Sequence, residues 1–410
     1  MRVLMLGLYD RGYPRNRSVA AALRSAGGGE VEVEVAHRKV WEKLRVHESP
    51  WVGFWARGYL GVRLLWAMVS LVPEALWKAR RCDVIWVGFP GHTDVPLAGL
   101  IGKLTGRPVV FDAFISWYDS AVRDRKLFPK KSWTAKLLRF WDYWSCKLSD
   151  RVVVDTPEHE LFFRRLFHVR KSKMMALPVG VDEKVFAIGH KAAEAASPRA
   201  GTPLRVLQYA EYTPLHGGEW VLEAARRLAE RGVAVEVEMV GDQGPWTARL
   251  KQRTAEMGLT NVRWSGYVPE RELVEKIVGA DVVLGVFGDT AKARRVVPNK
   301  VVQGLAMGRC VLTAATPAVR RELAVGVEVA GCAPGSGIGL ADEIERLAGD
   351  PALRGAIAAA GRKRFEASFS TAALGAVLEK ELEQLVAVRE RVGRVGRVGR
   401  VRRGVGVEVE

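Results

Sequence analysis

Short apolar runs alternate with amphipathic stretches along most of the 410-residue chain. Residues 2–9, 31–36, 83–88, 108–111 and 151–154 are continuous or nearly continuous apolar segments, too short for helices and bounded by polar turns. Runs of that kind read as strands buried on both faces, as in parallel sheets covered by helices. Between them lie helical patterns, among them one capped by Ser18 and running to Ser25, and another over 130–147. The rhythm stops at Phe186, gives way to a small, polar stretch over 187–203, and restarts with strands at 204–210, 233–240, 280–287 and 309–314. This predicts an α/β protein of two domains, 1–186 and 204–386, joined by a linker at 187–203. Residues 387–410, with Arg-Val-Gly repeated every three residues, have no pattern that would bury a face and are expected to be a disordered basic tail.

The most informative stretch is 296–308, Val-Val-Pro-Asn-Lys-Val-Val-Gln-Gly-Leu-Ala-Met-Gly. It reads as a helix opened by Pro298 and Asn299 and closed by Gly308, set between two buried strands. A first turn has N–H groups without internal partners and the positive end of the helix dipole, so Lys300 there predicts an anion site. Gln303 is on the same face, within reach of a sugar attached to that anion. An ordinary amphipathic helix with both side chains in solvent is the competing reading. In open α/β sheets chemistry gathers past the carboxyl ends of strands. Asp112, Ser116 and Asp119 follow the strand 108–111, so Asp112 and Asp119 are candidate catalytic carboxylates; a turn-capping role for Asp112 is the alternative.

The run PNKVVQGLAMGRCVLT resembles the nucleotide-sugar site of retaining GT-B glycosyltransferases of family 4, the group 1 transferases, in a branch with Pro-x-Lys before the helix. The resemblance extends with gaps over residues 1–385. It implies two Rossmann-like domains facing each other across a cleft, with the donor nucleotide-sugar bound by the second as co-substrate and the acceptor by the first. Lys300, Gln303 and Asn299 would then hold the donor, helped by His216 and by Gly241 in Gly-Asp-Gln-Gly244, which is similar to the family's Gly-x-Gly turn. Arg15 and Arg17, in the first loop, would face the cleft, unless they are a solvated basic loop. Glu211 and His216 stand where the family has an Arg and a Lys on the diphosphate, and Gln303 where a Glu is usual. Glu211 cannot do an arginine's work; His216 can donate one hydrogen bond or, protonated, a charge. These departures keep open a catalytically degenerate binding or scaffold subunit. The chain has no Asp-x-Asp sequence and no other cofactor is implied, in keeping with the metal-independent transfer that the resemblance implies.

Charge changes the picture on one point. Of the formal net charge of +17, residues 1–190 carry +12 (31 Lys/Arg against 19 Asp/Glu), residues 191–386 carry +1 (25 against 24), and the tail carries +4 (7 against 3). The basic half also holds the Trp- and Arg-rich segment 51–72 and the Lys- and Trp-rich helix at 130–147. Neither offers the roughly 20 apolar residues of a bilayer span. Both fit peripheral contact with anionic membrane and a lipid-linked or envelope glycan acceptor, or, for 51–72, a helix pair packed on the sheet. Nucleic-acid binding would rest on charge and tail alone and is not expected. Cys82, Cys146, Cys310 and Cys332 are scattered without metal-ligand spacing, and the N-terminus reaches Asp10 and Arg11 too soon for a signal peptide. The expected location is therefore cytoplasmic, at the inner face of the membrane if the peripheral contact holds.

Overall fold

The computed structural model describes residues 1–40, 54–186, 203–241 and 243–404. The linker expected at 187–203 lies almost wholly outside them. The first sheet contains β1 (Arg2–Gly7), β2 (Glu32–His37), β3 (Val84–Val87), β4 (Val109–Phe114), β5 (Arg151–Val154) and β6 (Met174–Ala176), in the spatial order β2-β1-β3-β4-β5-β6. The second contains β7 (Leu204–Ala210), β8 (Val235–Gly241), β9 (Val262–Ser265), β10 (Val282–Leu284), β11 (Cys310–Ala314) and β12 (Ala330–Cys332), ordered β12-β11-β10-β7-β8-β9. Every strand pairing within the two sheets is parallel.

Alternate residues of each strand serve opposite faces, and both faces are covered. Leu4, Leu6, Ile85 and Phe111 enter one core cluster, while Val3, Met5, Val84, Trp86 and Val110 enter the cluster on the other side. In the second sheet Val206, Leu284 and Leu312 face one way and Leu207, Val283 and Val311 the other. Burial on both sides is why the strands read as unbroken apolar runs in the sequence. Strand order reverses beside β1 and β3 in the first sheet and beside β7 and β10 in the second. Ligands of such sheets sit at these crevices, beyond the carboxyl ends.

Two segments differ from expectation. The helix Phe54–Ala79 is one element running through Pro73. Pro73 has no N–H to give back to Val69, which is 56% exposed, so water can satisfy the carbonyl. Ala67, Leu71, Ala75 and Ala79 pack on the first sheet, while Val62, Leu65, Trp66 and Trp77 are exposed, so the segment is half core and half apolar surface. The last helix, Thr371–Gly404, takes in most of the tail expected to be disordered. Extending a helix that packing has already nucleated adds one hydrogen bond per residue, and no proline interrupts this one. Its buried Leu374, Leu378, Leu382 and Leu385 lie in the core cluster of β1, β3 and β4. The end of the chain thus returns to the first domain, and the division at 386 does not follow the packing.

Candidate active site

The loops after β7 and β10 leave neighbouring strands and are stitched together: Phe287 N donates to His216 O at 3.2 Å and Gly288 N to Leu215 O at 3.1 Å. A β-carbon on Gly288 would stand 2.3 Å from Pro214 O, so only glycine allows this approach. The β10 loop then runs into the helix Asn299–Ala306, with Pro298 at its N-cap and Gly308 (φ +62) just past its end, as the sequence predicts. A cavity of about 340 Å³ opens at the helix entrance, between the two sheets. Asn299, Lys300, Gln303, Glu211 and His216 line it from the second domain, and Tyr13, Phe114, Asp124, Arg125 and Asp155 from the first.

Lys300 is 6% exposed and its Nζ has no hydrogen-bond partner. It lies 5.7 Å from the Tyr209 ring centre. Burial pulls its pKa down to about 7, with Glu211 opposing. Gln303 Oε1 accepts from Tyr209 Oη at 2.8 Å, which fixes the amide across the cavity floor. His216 Nδ1 sits 3.0 Å from Thr213 Oγ1. Its pKa is pushed well below the ordinary value, first by burial and then by Lys300, Arg125 and Lys292. His216 is therefore a neutral hydrogen-bonding group here, and the protonated alternative is removed.

Asp112 stands elsewhere. It is fully buried in a bidentate pair with Arg15, whose Nε and Nη2 reach its two oxygens at 3.0 and 3.2 Å, while Arg15 Nη1 donates to Leu177 O and Pro178 O. Neither side chain lines the cavity, because each satisfies the other in the core. Arg17 likewise meets Glu270 at 2.6 Å and Asp182 at 3.5 Å, not an open cleft. Gly241 ends β8 beneath Tyr212, whose ring a β-carbon would approach to 2.5 Å; packing, not a ligand, requires glycine there. Asp119 is 2% exposed and holds Arg295 of the second domain at 2.6 Å. It lines an adjoining cavity of about 460 Å³ that shares Asp124 and Lys292 with the first.

Two family models match the chain, one for a glycosyl transferase 4-like domain over residues 14–180 and one described as glycosyl transferase-like over residues 212–379. The chain is a group 1 glycosyltransferase. The transferase is 26% identical over 321 residues to WcaL of Salmonella typhimurium, assigned as a colanic acid biosynthesis glycosyltransferase; the match covers 68% of this chain and 74% of the relative. Among solved structures it resembles HepE of Anabaena, determined in complex with UDP and glucose (TM-score 0.65, 14% identity, 94% of this chain and 100% of that one). It also resembles the sucrose-phosphate synthase of Thermosynechococcus elongatus (TM-score 0.65, 16% identity, 94% and 99% covered). These likenesses establish the GT-B fold.

Of the residues singled out from the sequence, Asn299, Lys300, Gln303 and His216 line the cavity at the helix entrance, while Asp112, Asp119 and Gly241 do not. Asp124 and Asp155 are the first domain's carboxylates in the cavity. Asp124 is 4% exposed, and burial raises its pKa, with Lys292 opposing. Asp155 is held by His159 Nδ1 at 2.5 Å. Lys292, 7% exposed, donates to Ser120 Oγ across the domain boundary at 2.8 Å. Two traces of this wall stand in the sequence: Asp155 directly after the strand 151–154, and a polar cluster at 123–126 that without periodicity resembles any solvated loop.

Proposed function

We propose that the transferase moves a sugar from a nucleotide-sugar to a lipid-linked or envelope glycan acceptor, without a metal and with retention of anomeric configuration. The observation that carries the donor half is Lys300: a buried amine without a partner at a helix entrance holds its full charge at neutral pH only when an anion completes it. The nucleotide diphosphate meets Lys300 and the N–H groups of the helix Asn299–Ala306, and Gln303 takes the ribose. The departing diphosphate is stabilised by these fixed donors. On the opposite wall Asp124, kept protonated more readily than an exposed carboxyl, and Asp155 are within the same cavity and are better placed than Asp112 to hold the acceptor hydroxyl.

The acceptor half rests on the surface of the helix Trp133–Leu148. Trp133, Leu137, Phe140 and Trp144 are exposed at successive spacings of four, three and four residues, flanked by Lys130, Lys131, Lys136, Arg139 and Lys147. An apolar stripe edged with cations suits an anionic membrane face, and the relative assigned to colanic acid biosynthesis supports an envelope acceptor. No helix among the described residues is long and apolar enough to cross a membrane.

Calorimetric titration of the full chain with UDP, GDP and ADP tests the donor site. At least one should bind saturably in wild type, and Lys300→Ala should lose on the order of 1.5–3 kcal/mol of that affinity, as for a hydrogen bond to a charged group. Equal binding by both proteins sinks the site. Proton NMR of the product formed from the matching sugar donor reads retention directly.

A further inference from the structure

The donor cavity contains a cation from the wrong side. Arg125 belongs to the first domain, yet its Nη2 lies 3.1 Å from Glu211 Oε2, at the start of the loop after β7 in the second. Both side chains are partly open to solvent, 36% and 45% exposed, and line the cavity at whose floor Lys300 stands buried and unpartnered. Lys292 closes the same wall.

We infer that Arg125 is a ligand of the donor diphosphate, reaching from the first domain and leaving Glu211 when the nucleotide binds. The inference rests on Lys300 marking the donor site and adds a residue from the opposite domain. Three arguments carry it. First, Arg125, Lys292 and Lys300 converge on His216: these three charges, after burial, depress its pKa. Three cations on one cavity offset its three carboxylates, Asp124, Asp155 and Glu211, and give an anion close partners. Second, the chain offers Glu211 where the resemblance places an arginine. An unopposed carboxylate beside a diphosphate would repel it; Arg125 neutralises that charge in the empty cleft, and once the nucleotide takes Arg125, Glu211, 45% exposed, turns to water. Third, the Arg125–Glu211 pair is half in water, where such pairs contribute little, so exchanging a carboxylate for a doubly charged diphosphate costs little and forms stronger bonds. Since Arg125 is carried by the first domain, the donor would draw the two domains together as it binds.

The test uses the full chain and three probes, UDP, GDP and ADP, each beside its monophosphate, with wild type, Arg125→Ala, Arg125→Lys, Glu211→Gln and Lys300→Met. For whichever diphosphate binds wild type, Arg125→Ala should weaken it about tenfold or more. The matching monophosphate should shift less than twofold. Arg125→Lys should recover part of the loss, and Glu211→Gln, which frees Arg125, should bind the diphosphate tighter than wild type. Melting temperatures check that each variant folds; a partly exposed pair should leave them unchanged. If Lys300→Met loses the diphosphate while Arg125→Ala keeps it within twofold, Arg125 is only an interdomain contact and the donor site stands. If wild type binds none of the diphosphates, both the site and Arg125's role in it fall.

Discussion

At the scale of single residues, Lys300 stands at the helix entrance where the sequence suggests it, and Asp112 does not reach the cavity. Lys300 looks like a surface lysine by type but is buried at a helix entrance; Asp112 looks placed for chemistry but is spent on Arg15. Spacing along the chain reports which face a residue takes, and it cannot report a partner 97 positions away. The Arg15–Asp112 pair predicts that Asp112→Asn destabilises the fold by about 3–5 kcal/mol, the cost of leaving a buried charge alone. Urea denaturation measures it; normal stability with lost transfer would return Asp112 to the chemistry. Lys300 predicts a pH dependence. With its pKa near 7, the empty site loses its ammonium as pH rises through neutrality. Diphosphate affinity should therefore fall from pH 6 to 8.5, with proton uptake on binding at pH 8, and Lys300→Met should lack that slope. The same shift acts on stability. Between about 7 and the ordinary lysine value, the unfolded chain holds a proton that the native one does not, so this contribution rises with pH across that window and is constant below it. Lys300→Met removes the penalty, and its melting temperature should exceed wild type's most clearly at or below neutral pH.

Among the elements, strands were the most legible because burial on both faces writes itself as apolar runs. The helix Asn299–Ala306 was legible through its proline, its lysine and its closing glycine. The first-domain wall was not, since loops at strand ends carry no period. Sequence pattern also could not divide the aromatic residues of the helix Trp133–Leu148 between core and surface. In the folded chain Ala135, Asp142, Ser145 and Cys146 are its buried face, Tyr143 packs partly against the core, and the rings of Trp133, Phe140 and Trp144 are left outside. Asp142 is itself used, accepting from Ser116 Oγ and from the N–H groups of Trp117 and Tyr118. If the stripe meets a bilayer, replacing Trp133 and Trp144 together by alanine should weaken partitioning to anionic vesicles at least about tenfold, since withdrawing a large apolar side chain from water is worth roughly 1.5–3 kcal/mol. Co-sedimentation in high salt isolates this part from charge attraction. Unchanged partitioning would make the helix a protein contact or plain surface.

On the scale of the whole molecule, the two domains are held together by one apolar cluster, which takes Phe114 and Val181 from the first and Val297 and Val301 from the second, and by charges across the cleft. Arg17–Glu270, Arg295–Asp119 and Arg321–Glu158 each close at 2.6 Å, and Lys292 reaches Ser120. Arg17–Glu270 and Arg321–Glu158 are partly wet, worth about 0–1 kcal/mol each and screened by salt, whereas the buried Arg295–Asp119 is screened much less. Small-angle scattering should accordingly show the radius of gyration growing with ionic strength and shrinking again when a bound diphosphate is added. A radius indifferent to both would mean a rigid cleft.

The last helix gives that motion its form. Chain passes between the domains twice, once from Phe186 to Leu204 and once from Phe369 to Thr371, and the returning leucines are sunk in the first domain's core. A door hung at two points swings about the line through them and does little else, so opening should be a rotation about one axis, without sliding or twist. The same double attachment means that a protease site engineered at 195 and cut should yield two bands under denaturing conditions and one particle in native gel filtration, with the C-terminal fragment kept in place by its leucines.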